Sequence, residues 1–477
     1  MKLVSTNLKE ILQPGAHVVV VGLGKSGVSA VRFLLKLGVK ISVSEGGRQE
    51  NLEGDLVRWL EEKRVFVETG GHTSELLTSA DCILVSPGVP LDIAPLAAAR
   101  QKGIPVVGEL ALSKDFLKAP VVAVTGTNGK STVTTLIGDL LTGSGKKAFV
   151  GGNIGIPLAD YLAGPQDCEV VVLEVSSFQL DSAGEFRPQV GVLLNITPDH
   201  LDRYASYGAY VDSKMSLFKN QQPGDVAVLN GDDPAIADWL AKAAEQKSPW
   251  PLQGKIRQYS SDDRAGMMAC LNGTKARIGT ADEPDEKAEE YELAGTSLAQ
   301  APNTENAMAA ILAVRAMGCS QEDIQKSLAG FTPLPHRLAL VAEVDGVSYY
   351  DDSKATNVGA VFSALAGMNQ PVVLIAGGRD KGGGYEMLRP LVQEKVRAMV
   401  LIGEAREAMA QAFAKTTRIA FAEEMGEAVR LARTLAEKGD AVLLSPACAS
   451  FDMFRSYSHR GEMFVQAVSG LGRQEAR

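Results

Sequence analysis

The chain has 477 residues, too many for one compact core, so two to four domains are expected. Hydrophobic residues make up 45% and charged residues 22%, the balance of a soluble globular protein, and a formal net charge of −9 argues against sequence-independent nucleic-acid binding. No apolar run is long enough to cross a membrane, the first residues lack a signal-peptide core, and the five cysteines have no metal-ligand spacing, so a cytoplasmic protein with free thiols and no membrane insertion is expected.

In chain order, the recurring unit is a short β-branched run, a glycine turn and a helix-period segment. His17–Val21 predicts a strand, followed by GLGKSG (22–27), an amphipathic helix over 28–37 and a strand over 39–43. A strand at 83–85 ends in the turn SPGVP. A second cycle opens at Val121–Thr125 and passes through GTNGKST (126–132) into a helix ending near Leu141. It continues with strands over Val170–Glu174, 190–195 and Val226–Asn230. The stretch 259–295 reads as polar and irregular, with the acidic run DEPDEKAEE as solvated surface. Residues 303–317 predict a helix with small residues inside. A third cycle starts near Phe331 and holds strands over 371–376, 399–403, Arg418–Phe421 and Ala441–Leu444. This alternation predicts an α/β fold of parallel sheets with helices on both faces, in three domains: 1–108, 109–333 and 334–477.

GTNGKST is the strongest chemical signal. A strand feeding a glycine loop that opens a helix suits a polyphosphate; Lys130 would reach the terminal phosphates and the Ser131 hydroxyl would bind Mg²⁺. The loop departs from the common pattern because Val124 stands where the first glycine belongs. GLGKSG with Glu45 after the next strand matches a dinucleotide loop, which alone favours a nicotinamide enzyme, but the same architecture holds other nucleotide diphosphates. Glu174, at the carboxyl end of an apolar run, could hold Mg²⁺ or cap a helix. His200 follows Asn195 and is flanked by Asp199 and Asp202, a polar density that favours a site. Asn303 and Asn306, one turn apart, share a helix face that could read an adenine edge, and Arg337 past the second boundary could clamp phosphates. Lys214 looks like an ordinary solvated charge. In the third domain DDSKATN (351–357), GGRDKGG with Lys381, and SPACASFDMFRSY (445–457) all follow apolar strands and could form a pocket for a small dicarboxylate.

The order GLGKSG, SPGV, GTNGKST, GGNIG, LEVSSFQLD, LNITPDHLDR, NTENAMAA, PHR, DDSKATN and SPACASFDMF resembles the Mur ligase family over residues 22–457, and the last two motifs point to its glutamate-adding branch. The resemblance implies a Rossmann-like N-terminal domain for the UDP substrate, a central P-loop ATPase-like domain for ATP, and a C-terminal Rossmann-like domain for glutamate. It implies ATP-dependent ligation of D-glutamate to UDP-N-acetylmuramoyl-L-alanine through an acyl phosphate, in cytoplasmic peptidoglycan precursor synthesis, by a monomer. Gly126, Thr127, Asn128, Gly129, Lys130, Ser131, Thr132, Asn303, Asn306, Arg337 and Asp352 would bind ATP. Ser131 and Glu174 would hold one Mg²⁺, and His200 with a carbamylated Lys214 a second. Lys25, Ser26, Ser86, Asn153 and His200 would contact the UDP substrate, and Lys354, Thr356, Lys381, Ser450 and Tyr457 the glutamate. Lys130, Glu174, His200 and Lys214 form the implied catalytic group, and closure of the third domain would keep water out. Two departures stand out: Gly46-Gly47-Arg48 follows Glu45 where relatives place Thr and Arg, and Tyr457 replaces a common Phe. A folylpolyglutamate synthase-like ligase and an NAD(P)-dependent oxidoreductase are the alternatives; the latter leaves GTNGKST unexplained.

Overall fold

The computed structural model describes residues 7–200, 203–264, 266–279, 288–380 and 384–474. Lys381 and Asp202, both singled out by sequence, lie outside them. Three sheets carry the fold, and their central strands are the unbroken apolar runs. Val121–Thr125, Val170–Glu174 and Val372–Gly377 are buried along their whole length, as strands covered by helices on both faces must be.

The first sheet is wholly parallel, in the order Phe66–Thr69, Lys40–Glu45, His17–Val21, Cys82–Val85, Val106–Val107. The chain leaves His17–Val21 to one side and later returns to its other side. The carboxyl ends of His17–Val21 and Cys82–Val85 therefore diverge and open a crevice. The predicted helix starts earlier than its apolar period suggests, at Lys25, because the glycine loop runs directly into it.

The middle sheet has nine strands, in the order Glu289–Glu292, Lys275–Ile278, Ala269–Asn272, Lys255–Ser260, Val226–Asn230, Val190–Leu193, Val121–Thr125, Val170–Glu174, Ala148–Gly152. Its last two strand pairings on the Glu289 side are antiparallel, so Lys275–Ile278 runs against the other strands. Here the structure corrects the sequence reading, since much of 259–295 is β-meander. Lys275–Ile278 alternates exposed and buried residues, with Ala276 and Ile278 inside, and Tyr291 is buried opposite Ala276. Each strand is four residues long, and the last two are charged on their outer face, so the period-two signal was too short to register. Helix Asn303–Ala316 is buried on nearly all sides, packed between helix Lys130–Gly143 and the sheet, which accounts for its lack of a polar face.

The third sheet runs Ala339–Val344, Val347–Asp351, Ala441–Leu444, Val372–Gly377, Val396–Ile402, Arg418–Phe421, parallel except for its first pair. Both outer domains dock on the middle one. Helix Lys25–Leu37 reaches residues 155–163 through Lys25 to the Gly155 carbonyl, Lys36 to the Ala163 carbonyl and an Arg32–Asp160 pair at 3.2 Å. On the other side a Cβ at Gly367 would stand 2.6 Å from the Ala301 carbonyl oxygen. Among the described residues no helix is long and apolar enough to cross a membrane.

Candidate active site between the middle and C-terminal sheets

The glycine loop leaves strand Val121–Thr125 with Gly126 at φ +152° and Gly129 at φ +87°, conformations that side chains resist. A Cβ at Gly129 would also stand 2.7 Å from Asn306 Oδ1, so the glycine lets that amide approach the loop. Helix Lys130–Gly143 begins without a side-chain cap, and its first turn lines a cavity of about 290 Å³, leaving N–H groups for an anion. Lys130 Nζ is folded back onto the carbonyls of Gly126 and Thr127, 2.8 Å from each.

The same cavity is lined by Glu174, Asn153, Asn195, Asp199 and His200 from strand ends of the middle sheet, and by Asn303 and Asn306 from the buried helix. Glu174 is 2% exposed; its Oε1 accepts a 2.7 Å bond from Asn153, while its Oε2 is buried without a hydrogen-bond partner. A capping box formed by Ser176 and Gln179 fixes the turn after Glu174, and losing the serine would cost about 1 kcal/mol. His200 has φ +56°, and its ring packs 4.8 Å from Phe178 and 6.5 Å from Tyr210. Lys214 is 2% exposed, against the solvated position its local pattern suggests. Its ammonium donates to the Gly126 carbonyl at 2.8 Å and sits 4.7 Å from the Tyr210 ring, beneath the loop and outside the cavity lining. Burial, and next the Lys130 charge, hold Lys214 well below the usual lysine range. Gly126 and Thr132 also lie outside the lining.

The C-terminal domain closes the far wall with Arg337, Asp352, Lys354, Thr356, Asn357 and Tyr457. Arg337 Nε is buried with no hydrogen-bond partner. Burial pushes the Asp352 carboxyl up to about 7 against the pull of Arg337, and it accepts bonds from Ser445 (2.9 Å) and the Leu338 amide (3.2 Å). Burial likewise lowers Lys130 and Arg337, so a bound polyanion would supply the counter-charge these cations lack. The Tyr457 hydroxyl accepts from Lys354 at 3.2 Å, with the ammonium 4.4 Å from the ring centre. Here the departure from Phe tethers a cation. Ser450 is buried and lies outside the cavity lining.

A second cleft of about 550 Å³ opens at the crevice of the first sheet, lined by Lys25, Ser26, Glu45, His72, Ser86 and Asn153. Ser86 Oγ donates to the Gly22 carbonyl at 2.9 Å. Gly22 has φ +89°, and a Cβ on it would meet Val89 at 2.9 Å. Glu45 accepts from the Leu23 amide (2.6 Å) and the Gly47 amide (2.8 Å), so its carboxylate binds the ends of its own loops. Arg48 points away, 3.5 Å from exposed Glu50. Asn153 lines both clefts and joins them.

Comparison with known families matches residues 16–108 to the Mur ligase MurD-like N-terminal domain, 124–314 to the Mur ligase middle domain and 336–448 to the Mur ligase glutamate ligase domain. The chain belongs to the Mur ligase family. Membership makes it an ATP-dependent, amide-bond-forming ligase. The UDP-N-acetylmuramoylalanine–D-glutamate ligase of Desulfosudis oleivorans is 45% identical over 97% of this chain and 98% of its own. The enzyme of that name from Geobacter metallireducens is 44% identical over 97% and 99%. Among solved structures, a pseudomurein peptide ligase type C from Methanothermus fervidus superposes with a TM-score of 0.60 at 18% identity, over 96% of this chain and all of that one. MurF ligase from Thermotoga maritima, in complex with ADP, superposes at 0.57 and 17% identity over 98% and 97%. These two likenesses establish the shared fold.

Two residues of this Mur ligase site were not singled out in the sequence: His72 lies in no motif, and Arg203 only closes LNITPDHLDR. His72 reaches the second cleft with Nδ1 2.8 Å from Ser44 Oγ, and Gly46 leaves it room, since a Cβ there would stand 3.4 Å from Nε2. Arg203 donates to the carbonyls of Pro87 (3.4 Å), Gly88 (3.1 Å) and Val89 (2.8 Å) while its guanidinium lies 4.9 Å from the Phe178 ring, against which His200 packs. Arg203→Ala is expected to raise KM for the UDP substrate about tenfold, the loss of roughly 1.4 kcal/mol of loop anchoring, with KM for ATP unchanged. Steady-state phosphate release checks it; equal change in both KM values would contradict the assignment.

Proposed function

We propose that this Mur ligase joins D-glutamate to UDP-N-acetylmuramoyl-L-alanine at the expense of ATP, in cytoplasmic peptidoglycan precursor synthesis. Residues 1–108 hold the UDP moiety, 109–333 the ATP and 334–477 the glutamate. The observation that carries the reading is the junction of the two clefts at Asn153, which lets the carboxylate of a sugar nucleotide seated in the second cleft reach the phosphate loop in the first. The near-full-length likeness to D-glutamate ligases supports the choice of substrates.

A carboxylate resists amines because its charge repels them and oxide does not leave. Transfer of the γ-phosphoryl group from ATP to a carboxylate oxygen makes an acyl phosphate and ADP; the glutamate amine then attacks the carbonyl carbon, loses a proton and expels phosphate. Positioning and charge neutralisation do the catalytic work. Lys130 turns from its loop carbonyls to the phosphates, Arg337 faces them across the cavity, and Asn303 and Asn306 hold the nucleobase end. Lys354, Thr356 and Tyr457, with Lys381 and Ser450, hold the glutamate, and the docked C-terminal domain excludes water. The unpartnered Glu174 Oε2 fits a cation, and Mg²⁺ uses one or two carboxylates with phosphates and waters rather than a protein cage. Among the described residues no group of three or more His, Cys, Asp and Glu is placed to hold a metal ion by itself. Ser131 and Glu174 would hold one Mg²⁺, and His200 with a carbamylated Lys214 the other; Mg²⁺ supplies neutralisation of phosphate charge. Phosphate release assayed with UDP-N-acetylmuramoyl-L-alanine is expected with D-glutamate and at least about tenfold slower with L-glutamate. Release at equal rates, or none with either, would overturn the proposal.

A further inference from the structure

Asn357 closes DDSKATN and starts helix Val358–Gly367, where its Oδ1 caps the Ala360 amide at 2.8 Å. A cap needs only an acceptor, and Asp or Ser would serve as well. The Asn357 amide donor does something else. Nδ2 lies 3.1 Å from Asn128 Oδ1 in the phosphate loop and 3.2 Å from Asp199 Oδ2, so both N–H groups cross to the middle domain. Asn128 is already pinned on its own side, its amide donating to Asn195 Oδ1 at 2.8 Å and its carbonyl accepting from Asn195 Nδ2 at 3.0 Å. Asp199 Oδ1 accepts the His200 amide at 3.0 Å and so holds that left-handed residue. Two residues on, Gly359 lets the domains meet, since a Cβ there would stand 2.5 Å from Thr197 Oγ1 and 3.2 Å from Asn128 Nδ2. Lys354 and Thr356, just before Asn357, line the same cavity.

We infer that Asn357 is a positioning residue that registers the C-terminal domain on the phosphate loop, aligning the glutamate amine with the activated carboxylate. The inference rests on the proposed ligation. A slip of one ångström at this contact displaces Lys354 and Thr356 together relative to Asn128, and such misplacement costs up to about a hundredfold in rate.

Asn357→Asp keeps the helix cap but sets a carboxylate against Asp199. The full-length variant is expected to lose at least about thirtyfold in kcat for phosphate release, with KM for the UDP substrate within about twofold of wild type. Adding Asp199→Asn restores an amide opposite the new carboxylate and is expected to recover about tenfold. Asn357→Ser, uncharged and still a cap, is expected to lose about tenfold and covers failure of the aspartate variant to fold. Small-angle scattering with a non-hydrolysable ATP analogue reads docking without the reaction: Asn357→Asp is expected to show a larger radius of gyration than wild type. Retained kcat, no recovery in the double variant, or identical scattering curves each overturn the inference. An inactive wild type whose scattering still responds to Asn357→Asp would sink the proposed function and leave the docking contact standing.

Discussion

Lys130→Ala is expected to lower kcat by at least about a thousandfold while leaving the dissociation constant of UDP-N-acetylmuramoyl-L-alanine within about twofold. The lysine lines the cavity at the loop, with its ammonium 2.8 Å from two loop carbonyls. Burial lowers its pKa and Glu174 and Asp199 support its charge, so it is a cation held ready in a site short of counter-charge. Polyphosphate draws that charge away from the carbonyls, and its effect is greatest where the transferring phosphoryl group gains negative charge. The second cleft is built mainly on the first sheet, meets the first cleft at Asn153 and takes no residue from the phosphate loop. Titration calorimetry for the UDP substrate beside single-turnover phosphate release checks both halves; parallel loss of binding and turnover would contradict the division of labour between the sheets.

Lys214→Ala is expected to lose about a hundredfold or more in kcat and to regain part of it in millimolar formate or acetate. Its ammonium is buried against the Gly126 carbonyl and the Tyr210 ring, and burial first, then Lys130, drives its pKa well down. A lowered pKa enlarges the neutral-amine fraction at neutral pH, and the neutral amine is the form that captures CO₂. Carbamylation, as proposed, would replace a cation that repels Lys130 with an anion that attracts it and would offer oxygen to Mg²⁺. The sign follows for wild type: activity in CO₂-depleted buffer should fall as pH drops, because protonation withdraws the amine, and added bicarbonate should restore it. Full activity of Lys214→Ala without carboxylate would remove this residue from the mechanism.

The strands that build the site could be found from sequence because their burial is written locally. Val121–Thr125 and Val170–Glu174 are unbroken apolar runs, and the glycines at 126 and 129 mark a loop that only such residues allow. The meander at 269–292 escaped because its strands are only four residues long and two of them carry charges. Long-range partners escaped for a different reason. Lys214 contacts a carbonyl 88 residues away, Arg203 a loop more than 110 residues away and Asn357 a loop 229 residues away, and no local period encodes such pairs. Arg460 is the extreme case: it is fully buried and donates to Ser353 and the Cys448 carbonyl, tying DDSKATN to SPACAS. An arginine on a terminal helix reads as solvated surface until the fold is seen.

The most direct measurement of phosphoryl transfer to the sugar-nucleotide carboxylate uses ¹⁸O in both oxygens of that carboxylate. If the acid is phosphorylated and the glutamate amine then displaces phosphate, one ¹⁸O atom passes into each inorganic phosphate released, as mass spectrometry would read. Unlabelled phosphate formed at the rate of amide formation would contradict it.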